Sequence, residues 1–163
     1  MNSHCYIGAA NPHRAQLVHA RFLLDGGHPA VVLPMLAAIW AGHARRDTRA
    51  LVTAILACDW HHLDPHPTPT AGVGGQQPVP GVGMPLAPLP FDVPEPVSVF
   101  PLCHAGHLDA AWIYLIEQDT DTIRVYTEDG MCAGAYPLAG CLPSAPGYGL
   151  PRLCGLPTTG ALP

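Results

Sequence analysis

The chain has 163 residues, room for one domain rather than two. It is 48% hydrophobic, holds 20 prolines and 17 glycines, carries a formal charge of −5, and its seven basic residues are all arginine. Without lysine there is no Walker-A lysine, Schiff-base lysine or Ser-Lys dyad, and the negative charge opposes broad nucleic-acid affinity, which needs cations to neutralise phosphates.

No run of 18 apolar residues marks a membrane span. The opening MNSHCYIG has neither a basic n-region nor an apolar h-region, so a cytoplasmic location is expected. Six cysteines (Cys5, Cys58, Cys103, Cys132, Cys141, Cys154) stand far apart with no C-x-x-C pair, which points to free thiols.

In chain order, His4 to Gly8 reads as a first strand and Asn11-Pro12 as a turn. Val18, Ala20, Phe22 and Leu24 then alternate with His19, Arg21 and Leu23, the period-2 pattern of a strand that returns as a hairpin partner. Asp25-Gly26-Gly27 breaks it, and Pro29 is pre-set for a first helical turn that Asp25 or His28 could cap. Val32, Leu36, Ile39, Trp40 and His43 recur every three or four residues, one face of a helix. Pro34 inside that helix would cost about 3 kcal/mol, so the regular part is expected from Pro34 onward. Arg45 and Arg46 fall where they would complement the helix dipole in its last turn. Asp47-Thr48 offers an N-cap to a second helix over 49–58, striped by Leu51, Val52, Ile55 and Leu56.

Residues 64–96 are dense in proline and glycine, with almost no charge. They are expected to form an inserted loop unable to sustain ladder hydrogen bonds. A strand is expected at Val97–Phe100. The clearest hairpin follows, from Ala111–Ile116 and Thr122–Thr127 across an acidic turn, and Met131–Tyr136 adds a third strand. Residues 139–163 read as a disordered tail. The predicted class is α+β, a single domain over 1–138. In it an antiparallel sheet built from an N-terminal and a C-terminal hairpin is packed by the helix pair on one face.

HCYIG, HARFLLDGGHPAVVLP, GQQPVPGVGM, PEPVSVFPL and LDAAWIYLI, in that order, resemble a set of small actinobacterial proteins of uncharacterised activity. More distantly, YIG followed by a strand and DGGHP is similar to phage- and plasmid-borne proteins with a YIG…DGYP layout. The likeness spans 1–138 and departs from the distant pattern at Gly27-His28, where an aromatic is expected, and in the tail. It carries over no activity and no catalytic residue, and is compatible with an accessory or mobile-element product.

Two clusters hold metal ligands, Cys58-Asp59-Trp60-His61-His62 and Cys103-His104-Ala105-Gly106-His107. Cys58, His61 (or His62), Cys103 and His107 together could close a tetrahedral zinc site. They lack the C-x2-C knuckle, and ten histidines make such clusters common by chance. Cys103 could instead be a nucleophile served by His61 or His28, with Asp25 or Asp59 as orienter; His104, next to it on a strand, would point to the other face. No G-x-S-x-G elbow exists. Glu117, Asp119 and Asp121 lack the glycine and terminal glutamate of a calcium loop. Arg45, Arg46 and Arg49 invite a helix-turn-helix reading, but the second helix offers only alanines and Thr53 to base edges. Trp40, Trp60 and Trp112 are expected in the core, and one of them exposed would mark a binding surface. The favoured reading is a binding protein with a protein partner and no assembled chemistry. The zinc-stabilised module and the cysteine enzyme are the alternatives.

Overall fold

A computed structural model describes residues 3–11, 13–66, 77–86 and 96–143. Strands β1 (Cys5–Asn11) and β2 (Arg14–Leu23) form the antiparallel hairpin read from the sequence. Its turn is held by the Asn11 side chain, whose Oδ1 accepts the His13 and Arg14 N–H groups at 2.8 and 3.1 Å, the local mimicry that favours Asn in turns. Helices α1 (Pro29–Ala41) and α2 (Thr48–Ile55) follow. Next come β3 (Trp60–Leu63), β4 (Gly83–Pro85) and β5 (Ser98–Pro101), then a 3-10 turn over Leu102–His107. A meander of β6 (Trp112–Glu117), β7 (Thr122–Thr127) and β8 (Cys132–Pro137) leads into a second 3-10 turn at Leu138–Cys141.

One sheet runs β4-β3-β2-β1-β6-β7-β8, and β5 pairs with the middle of β2, at residues 17–20. The class is α+β, but the sheet is mixed and not purely antiparallel as the two-hairpin reading had it. β1 lies parallel to β6, and β2 parallel to β3. Both parallel joins follow long connections, the second through the helix pair, and only a long crossover can return a chain in the same direction.

The sheet is covered on both faces. Cys5, Ile7, Leu23, Tyr114, Ile116, Ile123 and Val125 pack against α1 and α2. Val18, Ala20, Ile113 and Leu115 pack on the other side against Phe100 of β5 and Ala105 of the first 3-10 turn. β6 is accordingly apolar on both sides, with Ile113 to Ile116 all buried. Trp40 and Trp60 are buried and Trp112 is half-buried.

Several local expectations change. α1 begins at Pro29, with Pro34 inside it. The N–H that Pro34 lacks would have served the carbonyl of Ala30, an exposed residue that water can reach. Arg45 and Arg46 lie beyond the helix in the linking turn, at φ 52° and 65°, and the Arg46 guanidinium sits 5.8 Å from the Trp40 ring centroid. His43 is exposed past the helix end. The inserted loop does hold a ladder: β4 pairs with β3, and Pro85 closes this three-residue edge strand, where a missing N–H is tolerated. Residues 67–76 and 87–95 of that loop lie outside the described residues. Residues 139–141 of the segment read as tail complete the Leu138–Cys141 turn, where Cys141 packs against the helix-side core, while 144–163 lies outside the described residues. Asp121 is exposed in the acidic turn, as expected; it takes φ 51° and accepts from the Thr48 hydroxyl, which itself accepts from Trp40 Nε1 at 3.0 Å.

β2 hides the least expected feature. Arg21 is 2% exposed on the helix side of the sheet, beside Leu23. Its Nε donates to the Leu56 carbonyl at 2.9 Å and its Nη1 to the Pro96 carbonyl at 3.0 Å. Leu56 caps the C-terminus of α2, so a buried cation meets the negative end of that helix.

A candidate binding cleft where β2 turns into α1

The DGGH turn is fixed from several directions. Gly26 takes φ +77°, a conformation that L side chains rarely adopt. A Cβ on Gly27 would lie 2.2 Å from the Ser3 carbonyl oxygen, so only glycine fits. That carbonyl accepts the Gly27 N–H at 2.9 Å, and the Gly27 carbonyl accepts the buried Tyr114 hydroxyl at 2.7 Å. Burial pushes the Tyr114 hydroxyl well above its ordinary pKa, with smaller contributions from Cys5 and Tyr136, which keeps it a donor. His4 Nδ1 donates to the Leu24 carbonyl at 2.8 Å. His28 then caps α1, its Nδ1 accepting the Ala30 N–H at 3.2 Å, and its ring meets Trp112 edge-on at 6.1 Å.

Beside this turn β2 hands over to β3: Leu24 N–H donates to Trp60 O and Asp25 N–H to His61 O, at 3.0 and 2.9 Å. The parallel join brings the start of α1 over the end of β3 and leaves an open cleft of about 140 Å3 between them. Leu23, Val31, Val32, Met35 and Leu63 make its apolar wall, and Asp25, Gly26 and His62 its rim. Asp25 Oδ2 is 3.5 Å from His61 Nδ1, which lies 3.2 Å from His62 Nδ1.

The wall continues along α1. From Pro29 to Ala41 the helix has no charged side chain, and its one polar side-chain group, the buried Trp40 Nε1–H, is bonded to Thr48. Its inner positions Val32, Leu36, Ile39 and Trp40 are buried, while Ala30 and Val31 are exposed and Pro34, Met35, Ala38 and Ala41 half-buried. A helix apolar on every side is normally covered on every side, yet Val31 keeps 45% of its surface in solvent.

Of the residues singled out from sequence, Asp25 and His61 are brought together. The zinc set is not. Cys58 is buried in the helix-side core, whereas Cys103 is exposed on a 3-10 turn whose Leu102 and Ala105 pack against the opposite face of the sheet. His107 belongs to that turn, its ring 5.9 Å from His104, and His61 sits with β3. Among the described residues no group of three or more His, Cys, Asp or Glu side chains is placed to hold a metal ion. Cys103 and His104 lie in a turn and not on a strand, so strand alternation does not set their directions. Among the described residues lining the cleft, apolar side chains make the wall with one carboxylate and imidazole at the rim, a composition that suits recognition of a side chain.

Val31, Met35 and Leu63 were not foreseen as site residues. The signal that could have found them is the thirteen-residue helix without a polar face. Compared with protein-family models, with curated proteins and with solved structures, the chain finds no match. Among the described residues no helix is long and apolar enough to cross a membrane.

Proposed function

We propose that this chain is a small accessory protein of the cytoplasm that acts by binding a protein partner, through the outer face of α1 and the cleft at its first turns. The observation that carries the reading is the apolar solvent face of α1, continuous from Val31 through Met35 into the cleft. Contiguous apolar surface rimmed by polar groups is the usual mark of an interaction site. The rim here is Asp25, His61 and His62. The turn beneath it is held by backbone and by Tyr114, so the surface is formed before anything docks, which lowers the ordering penalty of association. The resemblance to phage- and plasmid-borne proteins fits an accessory role of this kind.

A photoreactive benzoylphenylalanine placed at position 31 of the full chain, in cells of its source, tests this. Position 99 is the control, since Val99 is 53% exposed in β5, away from α1. A discrete adduct from position 31 and none from position 99 is expected. The same adducts from both positions, or none from position 31, would refute the reading.

A further inference from the structure

We infer that the occupant of the cleft is a basic-apolar protein segment: one aliphatic or aromatic side chain inserted beside α1, next to an arginine or lysine that meets Asp25. This rests on the binding reading above and adds the chemistry of the partner. The size comes first. A cavity of about 150 Å3 holds a benzene ring, and the cleft offers about 140 Å3, so it takes a single side chain. Its wall is aliphatic apart from one thioether, and among the described residues lining it Asp25 supplies the carboxylate, beside the His62 imidazole.

Among the described residues the basic neighbour of this carboxylate is the His61 imidazole, its Nδ1 3.5 Å from Asp25 Oδ2. At 3.5 Å that contact is longer than a full hydrogen bond, and the same His61 nitrogen faces His62 Nδ1 at 3.2 Å. A carboxylate has about four lone-pair positions, so Asp25 can accept from an outside donor whichever way the imidazole hydrogens lie. The arginines of the described residues stand elsewhere. Arg14 is at the β1–β2 turn and Arg21 beneath the end of α2; Arg45, Arg46 and Arg49 lie around the α1–α2 turn, and Arg124 is on β7 with Glu117 at 2.6 Å. A partner carrying its own cation meets Asp25 with opposite charge, and the net charge of −5 draws such a partner in. An acidic segment meets like charge at Asp25.

The test is a titration of the 15N-labelled full chain, followed by NMR, with acetyl-Leu-Arg-amide, acetyl-Leu-Glu-amide and acetyl-Gly-Arg-amide. The Leu-Arg probe is expected to shift the Leu23, Val31, Met35 and Leu63 amides saturably. The Leu-Glu probe should bind about two- to fivefold more weakly, the range set by an exposed ion pair. Asp25→Asn should erase that difference, and Asp119→Asn, the same charge change in the β6–β7 turn, should leave it. Equal affinity for Leu-Arg and Leu-Glu, equal affinity for Leu-Arg and Gly-Arg, or shifts centred away from the cleft would each overturn the inference. The binding reading is judged apart from this, by the adduct at position 31.

Discussion

Replacing Arg21 with methionine keeps most of the buried stem and removes the charge and its donors. Two carbonyls lose short charge-assisted bonds, Leu56 O at 2.9 Å and Pro96 O at 3.0 Å; the contact to Ala57 O at 3.5 Å is too long to count equally. Each good bond to a charged group is worth about 1.5–3 kcal/mol, a gross loss of roughly 3–6 kcal/mol. Two effects reduce it. Methionine needs no desolvation of a cation, and Leu56 is only half-buried while Pro96 is exposed, so water can reach part of what is left unpaired. The net expectation is a destabilisation of about 2–4 kcal/mol, read as a lower urea midpoint at unchanged slope. Arg21→Lys should recover less than half, because one ammonium cannot reach both carbonyls with the geometry of a guanidinium fork. A loss below about 1 kcal/mol for Arg21→Met would show that the buried cation does not hold α2 to the sheet.

Two further outcomes are expected. His28→Ala should cost about 1 kcal/mol through loss of the α1 cap, while His28→Asn, which keeps an acceptor, should stay within a few tenths of wild type in urea unfolding; equal losses would remove the cap from the account. Burial pushes the Cys5 thiol far above its ordinary value, so the folded chain keeps that proton while the unfolded chain releases it above about pH 8.5. Stability is therefore full below that pH and falls above it, by about 2 kcal/mol at pH 10 from Cys5 alone, with Tyr114 adding to the loss above about pH 10. Urea unfolding between pH 7 and 10 measures the fall, and a flat profile, or the same slope in Cys5→Ala, would contradict it.

The sequence carried the local elements well because their signals are local. Asn11, Asp47 and the DGGHP turn each use a side chain or glycine within a few residues of its backbone partner, and the N-terminal hairpin and the helix caps are where they were expected, with the helix bounds shifted by a few residues. What it could not carry was long-range. Nothing in CYIGAAN or WIYLIE says that β1 and β6 lie parallel; the run of buried Ile113–Ile116 says only that both faces are covered. Arg21 read as a solvent position of an alternating strand, because its partners stand 35 and 75 residues away. Asp25 and His61 could be named as groups able to pair, but their approach depends on the β2–β3 join, which has no sequence signature of its own. Cys58 and Cys103, 45 positions apart in sequence, likewise stand apart, the first in the helix-side core and the second on a turn packed against the other face of the sheet.

The helix face was the opposite case, visible and misjudged. Thirteen residues without one charged side chain satisfy any search for a buried stripe, and the stripe at Val32, Leu36, Ile39 and Trp40 is indeed buried. A helix that needs only that stripe has no use for valine at 31 or methionine at 35, where a glutamate or lysine would serve solubility. Retaining apolar residues there raises the risk of non-specific association in a chain with few surface charges. The geometry gives that surface a definite form. Gly27 seated against Ser3 and the Tyr114 hydroxyl on Gly27 fix where α1 begins, and with it the distance from Val31 and Met35 to Leu63 across the cleft. Rigidity at the turn combined with apolar surface at the helix is the arrangement a docking site needs: one part keeps the cleft open in the absence of a partner, and the other supplies the apolar area that a partner would remove from water.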